Sequence, residues 1–282
     1  MALAPALARE KLLTTARLLP AAPQVLAQLG DLLQDVNTSL EEITDLLKRD
    51  AALVARIIRI SNSAFFAGVR VGSIEEAVNR VGYGEIYRLV GVATTSRLVD
   101  RALVYYRVDP GPLRENMVYT ALACEALAPE CGLDSRCAYS AGLLRTLGMM
   151  VLDRVAREFL PLENAYDHHR YGGYGAWEGQ VFSLGNCEVA GLILGDWHFP
   201  ADLVDAVREH HLLRDADYGN RFACLLNVAG WLAAQAQFGL PGELAYWEPT
   251  PRKFERLGLS EEKIRPIGEH VSHEFERLRV SL

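Results

Sequence analysis

The sequence predicts an all-α protein of two helical lobes, and three observations carry that expectation. Apolar residues recur at three- and four-residue intervals along almost the whole chain. Alternating apolar and polar runs bounded by turn residues, the mark of strands, are hard to find. Half of the 282 residues are hydrophobic, enough for a sizeable core.

The elements follow in order. The opening MALAPALAREKLLTTARLLP is rich in Ala and Leu, but Arg9, Glu10 and Lys11 interrupt it and no basic stretch precedes it, so it makes a poor secretion signal. Ser39-x-x-Glu42 and Ser73-x-x-Glu76 are capping-box patterns, and each predicts a helix start. Between them Leu53, Val54, Ile57, Ile58 and Ile60 form an apolar stripe while Arg56 and Arg59 fall elsewhere, as in a helix packed on one side and ending near Ser61-Asn62-Ser63. Val81-Gly82-Tyr83-Gly84 is a turn between helices. Asp109-Pro110-Gly111-Pro112 is the strongest break, so a lobe boundary is placed near residue 108. Helical patterns follow at about 113–129, 136–160, 175–197, 200–213 and 217–238, separated by Pro129, Pro161, Gly172-Gly173 and Pro200, and an amphipathic helix runs from Ser260. The expected organisation is a first lobe over 1–108, a second over 109–238 and a helical extension over 239–282.

Composition excludes several classes of function. With 29 basic against 36 acidic residues the net charge is −7, which argues against wholesale nucleic-acid binding. The arginines of the first lobe, Arg56, Arg59, Arg70, Arg80 and Arg88, could suit an acidic or phosphorylated partner, although a solvated face is the plainer reading. No apolar run approaches the 18 or so residues of a membrane span, so no membrane association is expected. Cys124, Cys131, Cys137, Cys187 and Cys224 form an odd set without a CxxC pair. They read as buried thiols, with no neighbouring His or basic group to activate them, in the reducing cytoplasm. No Gly-x-Ser-x-Gly, phosphate-cradling loop or dinucleotide fingerprint is present.

Five pieces occurring in order carry a resemblance: Leu19-Pro20-x-x-Pro23, Ser39-x-x-Glu42, Asp50-Ala51-x-Leu53, Asn62-Ser63-Ala64-Phe65 and Val81-Gly82. Together they resemble the start of an HDOD domain, the output-type relative of the HD metal phosphohydrolases; Ala51 stands where the family usually has Pro. AGLLRTLGMMVLDR and GNCEVAGLILGDWHFPADLVDAVREHH resemble its later helices, and the likeness spans about residues 15 to 235. It implies an HD-like helical second lobe and a regulatory module of bacterial signal transduction that acts by binding a protein partner, here expected as a stand-alone copy.

By the same resemblance the HD metal ligands fall at Asn116, at Arg145-Thr146, at Asn186 and at Gly230, and none is retained. Asn is a weak neutral ligand, and Arg145 would set a fixed positive charge where the cation belongs. No metal, no other cofactor and no phosphohydrolase activity are therefore expected. The vestigial pocket would be lined by these residues with His210 or His211. One extension lets Arg145 with two Asn side chains receive a small anion or a nucleotide phosphate. The alternative is a divergent hydrolase holding metal through His210, His211 and carboxylates such as Glu188 or Glu209.

Against that alternative, neighbouring helical residues point about 100° apart, so His210 and His211 should not easily chelate one ion, and a helix-end role is favoured for them. His270 and His273 on the terminal helix read as a solvated face. His168 and His169 lie in DHHRYGGYG, a loop that lacks the Gly-Tyr-Pro signature of the cyclic-dinucleotide phosphodiesterase branch and reads equally as a partner contact or a solvated connection. Asn62 and Ser63 read as helix-end caps or interlobe bonds, with ligand contact the minority reading.

Overall fold

The computed structural model describes residues 9–19, 22–62 and 70–279, and among them the regular elements are helical apart from one antiparallel bridge between Leu103 and Val108. The all-α expectation holds. No helix among the described residues is long and apolar enough to cross a membrane. The chain forms two compact units. Of the described residues, the smaller takes in 22–98 and 276–279, and the larger 9–19 and 99–275.

In the smaller unit α2 (Ala22–Leu32), α3 (Leu40–Lys48), α4 (Ala51–Ser61), α5 (Ile74–Val81) and α6 (Tyr83–Leu98) pack around Leu26, Leu29, Leu47, Ile57, Ala77, Ile86 and Leu89. Ser39 accepts from Glu42 N at 3.2 Å while Glu42 accepts from Ser39 N at 2.8 Å, so the first capping box is complete. The second is half made: Ser73 accepts from Glu76 N, but Glu76 accepts from Gly72 N instead. Asp50 caps α4 through Leu53 N and pairs with Arg97. Along α4, Leu53, Ile57 and Ile60 are buried and Arg59 is exposed, as the stripe predicts. Asn62 clasps the backbone of Val71 with two hydrogen bonds of 2.8 and 2.9 Å. Asn62 is thus the C-cap of α4, as the cap reading has it, and its side-chain bonds lie within one unit. Ser63 lies outside the described residues. Arg56 donates to Ser96 and Arg88 to Glu85, while Arg70 is exposed.

After residues 9–19, the larger unit resumes at Val99. The segment before Asp109 is pinned there by buried bonds: Tyr105 N donates to Asp153 at 2.7 Å, Tyr105 Oη to Leu160 O, and Tyr106 Oη to Glu178 at 2.7 Å. Asp109-Pro110 therefore starts α7 (Pro110–Leu127), with Pro at its first position. It does not separate lobes. Helix α1 (Arg9–Ala16) joins this unit against α9 (Leu147–Phe159) and α11 (Asn186–Asp196). Helix α7 packs on α8 (Ser135–Leu144) and α13 (Arg221–Gln235), and α12 (Ala201–Glu209) on α11 and α13. Residues 239–275 are part of the same unit. Residues 241–247 coil against α13, α14 (Pro251–Leu257) follows, and α15 (Glu261–Arg279) sets Phe275 against Tyr119 and Phe238 at ring distances of 5.3 and 4.5 Å.

Candidate functional site

Two expected long helices each divide, and the divisions place the candidate residues. The pattern over 136–160 breaks at Arg145-Thr146 between α8 and α9. That over 175–197 breaks at Ser183-Leu184-Gly185 between α10 (Tyr174–Phe182) and α11. Ser183 takes a left-handed conformation (φ 59°), and Glu188 turns back to accept from Gly185 N at 2.9 Å. Apolar spacing continues through both breaks, so periodicity alone does not show them. Gly148 lets α9 and α11 meet, since a Cβ there would lie 1.9 Å from Asn186 O.

Arg145, at the end of α8, is wholly buried and its charge is matched inside the fold. Its Nη1 lies 2.9 Å from both carboxylate oxygens of Glu243, its Nη2 donates to Asn116 Oδ1, and the guanidinium sits 5.2 Å from the Trp247 ring centre. Asn116 uses its other end to donate to Phe238 O at 2.7 Å. Burial works to raise the Glu243 carboxyl, but Arg145 beside it holds it below the usual carboxylate range. Gly230 faces Trp247, whose ring lies 2.9 Å from where a Cβ would stand. Thr146 is buried with no hydrogen-bond partner for its hydroxyl.

A divalent ion in the HD arrangement does not fit these residues. The guanidinium already supplies the buried cation between Asn116 and Glu243, and Asn, Thr and Gly offer no anionic ligand. The same ion pair corrects the anion reading of Arg145: with Glu243 at 2.9 Å, the charge that would draw a phosphate is neutralised.

Next to this pair stand two histidines and a cysteine. His210 is the last residue in helical conformation after α12, and the chain then turns. Both rings therefore reach Cys187, contrary to the expectation from helical spacing. Cys187 Sγ is 3.6 Å from His210 Nδ1 and 3.2 Å from His211 Nδ1. Its expected lack of a His neighbour is thus corrected; its burial is as expected. His210 Nδ1 bonds Val207 O at 2.7 Å, and its Nε2 is buried without a partner. Asn227 donates to His210 O at 2.7 Å, and His211 stacks on Tyr246 at 4.0 Å. Burial, with His211 and Arg145 nearby, holds the His210 imidazole well below its ordinary pKa; burial likewise lowers His211, against the pull of Glu243. Both rings stay neutral near pH 7. Burial also pushes the Cys187 thiol up, so it is not an activated nucleophile.

Asn186 does not join Arg145. It donates through its backbone and its side chain to Glu178, at 2.9 and 2.8 Å, and Tyr106 donates to the same carboxyl. Burial raises Glu178 to about 7 against these three donors. Glu178, Asn186, Cys187, His211 and Tyr246 line one cavity of about 530 Å³, with Arg208 and Arg214 also on its wall. Glu209, one of the carboxylates of the hydrolase reading, accepts from Asn220 at 2.9 Å, and Glu188 is spent on the cap of α11.

The structure thus brings Asn116 and Arg145 together, and Asn186 beside His210 and His211 through Cys187. Sequence reasoning missed Glu243, Glu178 and Trp247. The signal for Glu243 was a lone acid in the apolar, aromatic run Pro241-Gly-Glu-Leu-Ala-Tyr-Trp247. His168 and His169 are exposed beside Asp167, and His270 and His273 are exposed on α15.

A model of the HDOD domain matches residues 19–213, more than half of the chain. A protein of Treponema pallidum (strain Nichols), described as uncharacterized, is 25% identical over 265 residues; the match takes in 92% of this chain, which spans about half (50%) of that relative's length. An HDOD domain protein with unknown function from Geobacter sulfurreducens shares the fold with a TM-score of 0.71 at 21% identity, over 96% of this chain and 97% of that one. A protein from Shewanella amazonensis SB2B, described as a candidate phosphohydrolase, gives a TM-score of 0.70 at 20% identity, over 96% and 97%. One from Marinobacter aquaeolei VT8, described as a candidate signal transduction protein, gives 0.69 at 20%, over 96% of this chain and 64% of its own.

Proposed function

The chain belongs to the HDOD family, and on that premise we propose that it is a non-catalytic regulatory module of a cytoplasmic signalling pathway that acts by binding a protein partner. One observation supports the reading: at positions that the resemblance gives to HD metal ligands, Arg145 and Asn116 are buried in contact and Arg145 pairs with Glu243. A phosphohydrolase must hold a divalent ion with open positions to activate water. Here the position that the resemblance gives to the His-Asp pair carries a guanidinium of fixed charge, paired with Glu243. The polar interior that remains is organised to hold the helices α7, α8 and α11 in register, which suits a scaffold that presents a surface.

The test is hydrolysis of a phosphomonoester, a phosphodiester and a cyclic dinucleotide by the purified chain with added manganese or iron. No turnover above the rate of a protein-free control is expected. Metal-dependent turnover abolished by chelator would sink the binding-module reading. Partner capture with the intact chain as bait is then the positive arm.

A further inference from the structure

We propose that Cys187, His210 and His211 form a zinc site with one thiolate and two imidazole ligands, its fourth position open to the adjoining cavity. One ligand atom from each residue lies within 4.8 Å of the others. Tetrahedral zinc, with Zn–S about 2.3 Å and Zn–N about 2.0–2.1 Å, places sulfur and nitrogen about 3.6 Å apart. Cys187 Sγ is 3.6 Å from His211 Nε2, and it is the other nitrogen of His210, Nε2, that turns onto the ion, because Nδ1 is held by Val207 O.

The surroundings hold the three side chains where a metal needs them. Glu178 anchors Asn186 at the start of α11 and so places Cys187. Asn227 fixes the backbone of His210, and Tyr246 stacks against His211. Val207 O holds His210 Nδ1 at 2.7 Å, which orients the ring as outer-shell carbonyls orient metal-bound imidazoles and leaves the lone pair on Nε2. That nitrogen is wholly buried and has no partner. A buried polar atom is seldom left so, and a small turn of the ring onto a metal ion would satisfy it.

The donor set decides the metal. One thiolate and two neutral imidazoles select zinc over magnesium or manganese, which prefer oxygen. Because Glu243 already neutralises Arg145, the incoming dication meets a paired guanidinium and not a bare charge. Binding displaces the thiol proton to solvent and the bound ion ties the start of α11 to the end of α12. Cys187 and His211 also line the 530 Å³ cavity, so the fourth position is filled by water from that side. None of Asn116, Arg145, Thr146 or Gly230 takes part, and the site neither needs nor excludes the regulatory reading.

The test uses the full chain, purified under reducing conditions, loaded with zinc or cobalt(II) and freed of excess by gel filtration. One zinc per chain is expected, and in the cobalt form a thiolate-to-metal charge-transfer band. Cys187→Ser should abolish the band and lower retained zinc at least tenfold, whereas Cys137→Ser and His168→Ala should leave both intact. Failure to retain zinc, or a band that persists in Cys187→Ser, overturns the proposal. Should that variant not fold, zinc-edge X-ray absorption of the unaltered chain decides. A single sulfur ligand among nitrogen and oxygen supports the site, and no sulfur or more than one rejects it. Phosphoester hydrolysis by the zinc-loaded chain would overturn the regulatory reading and leave the zinc site standing.

Discussion

The buried polar interior of the larger unit has two contrasting halves. Around Arg145 the charges are opposite, in contact and sealed: Glu243 and Asn116 take up the guanidinium's Nη groups, and Trp247 covers it. Around Cys187 the groups are neutral, one His210 nitrogen has no partner, and a cavity reaches the thiol and the His211 ring. The difference separates two uses of a buried polar cluster. An ion pair closed on itself specifies how helices meet; a neutral cluster that a cavity reaches is open to a ligand.

The largest effect should come from breaking the sealed half. Glu243→Gln leaves Arg145 buried without an anion and is expected to cost about 3–5 kcal/mol, read as a fall in the denaturation midpoint. Pairing it with Arg145→Met should restore most of that loss; a double variant as unstable as the single would show that the pair does more than neutralise itself.

Next is the carboxyl on the cavity wall. Glu178 is raised from 4.5 to about 7 in the folded chain, chiefly by burial, so the native state holds its proton more tightly than the unfolded state does. The contribution of this carboxyl to stability should therefore be fullest below about pH 4.5, decline between there and about pH 7 by on the order of 3 kcal/mol, and stay level above. Glu178→Gln should flatten that part of the profile in denaturant titrations across pH. An unchanged slope would move the linkage to another group.

Smaller effects calibrate the comparison in the other unit, where polar contacts serve only local structure. Asn62→Ala removes both hydrogen bonds to Val71 and should cost about 1–2 kcal/mol in chemical denaturation. Ser39→Ala removes one side of an exposed capping box and should cost about 1 kcal/mol. If Ser39→Ala cost as much as Glu243→Gln, the contrast between sealed core and surface cap would fail.

Much of this was legible in the sequence. The helical class, the cap at Ser39, the stripe of α4 and the turn at Gly82 follow from local spacing and the conformations available to those residues. The resemblance singled out Asn116, Arg145 and Asn186, and all three are buried. Local spacing went wrong where the chain breaks without losing its apolar rhythm, at Arg145-Thr146 and at Ser183 to Gly185, although Ser and Gly in the latter are turn residues. It also misread Asp109-Pro110 as a boundary, because a helix start and a linker share the same residues.

By itself, then, the sequence determined the elements: which stretches coil and which faces are apolar. Only the tertiary structure decided which polar residues meet inside the fold. Arg145 meets Glu243 across 98 residues of chain, and Cys187 meets His210 and His211 across 23 and 24. Helix periodicity reports on neighbours three or four residues apart, whereas charge pairing and ligand geometry depend on distances set by how whole helices pack.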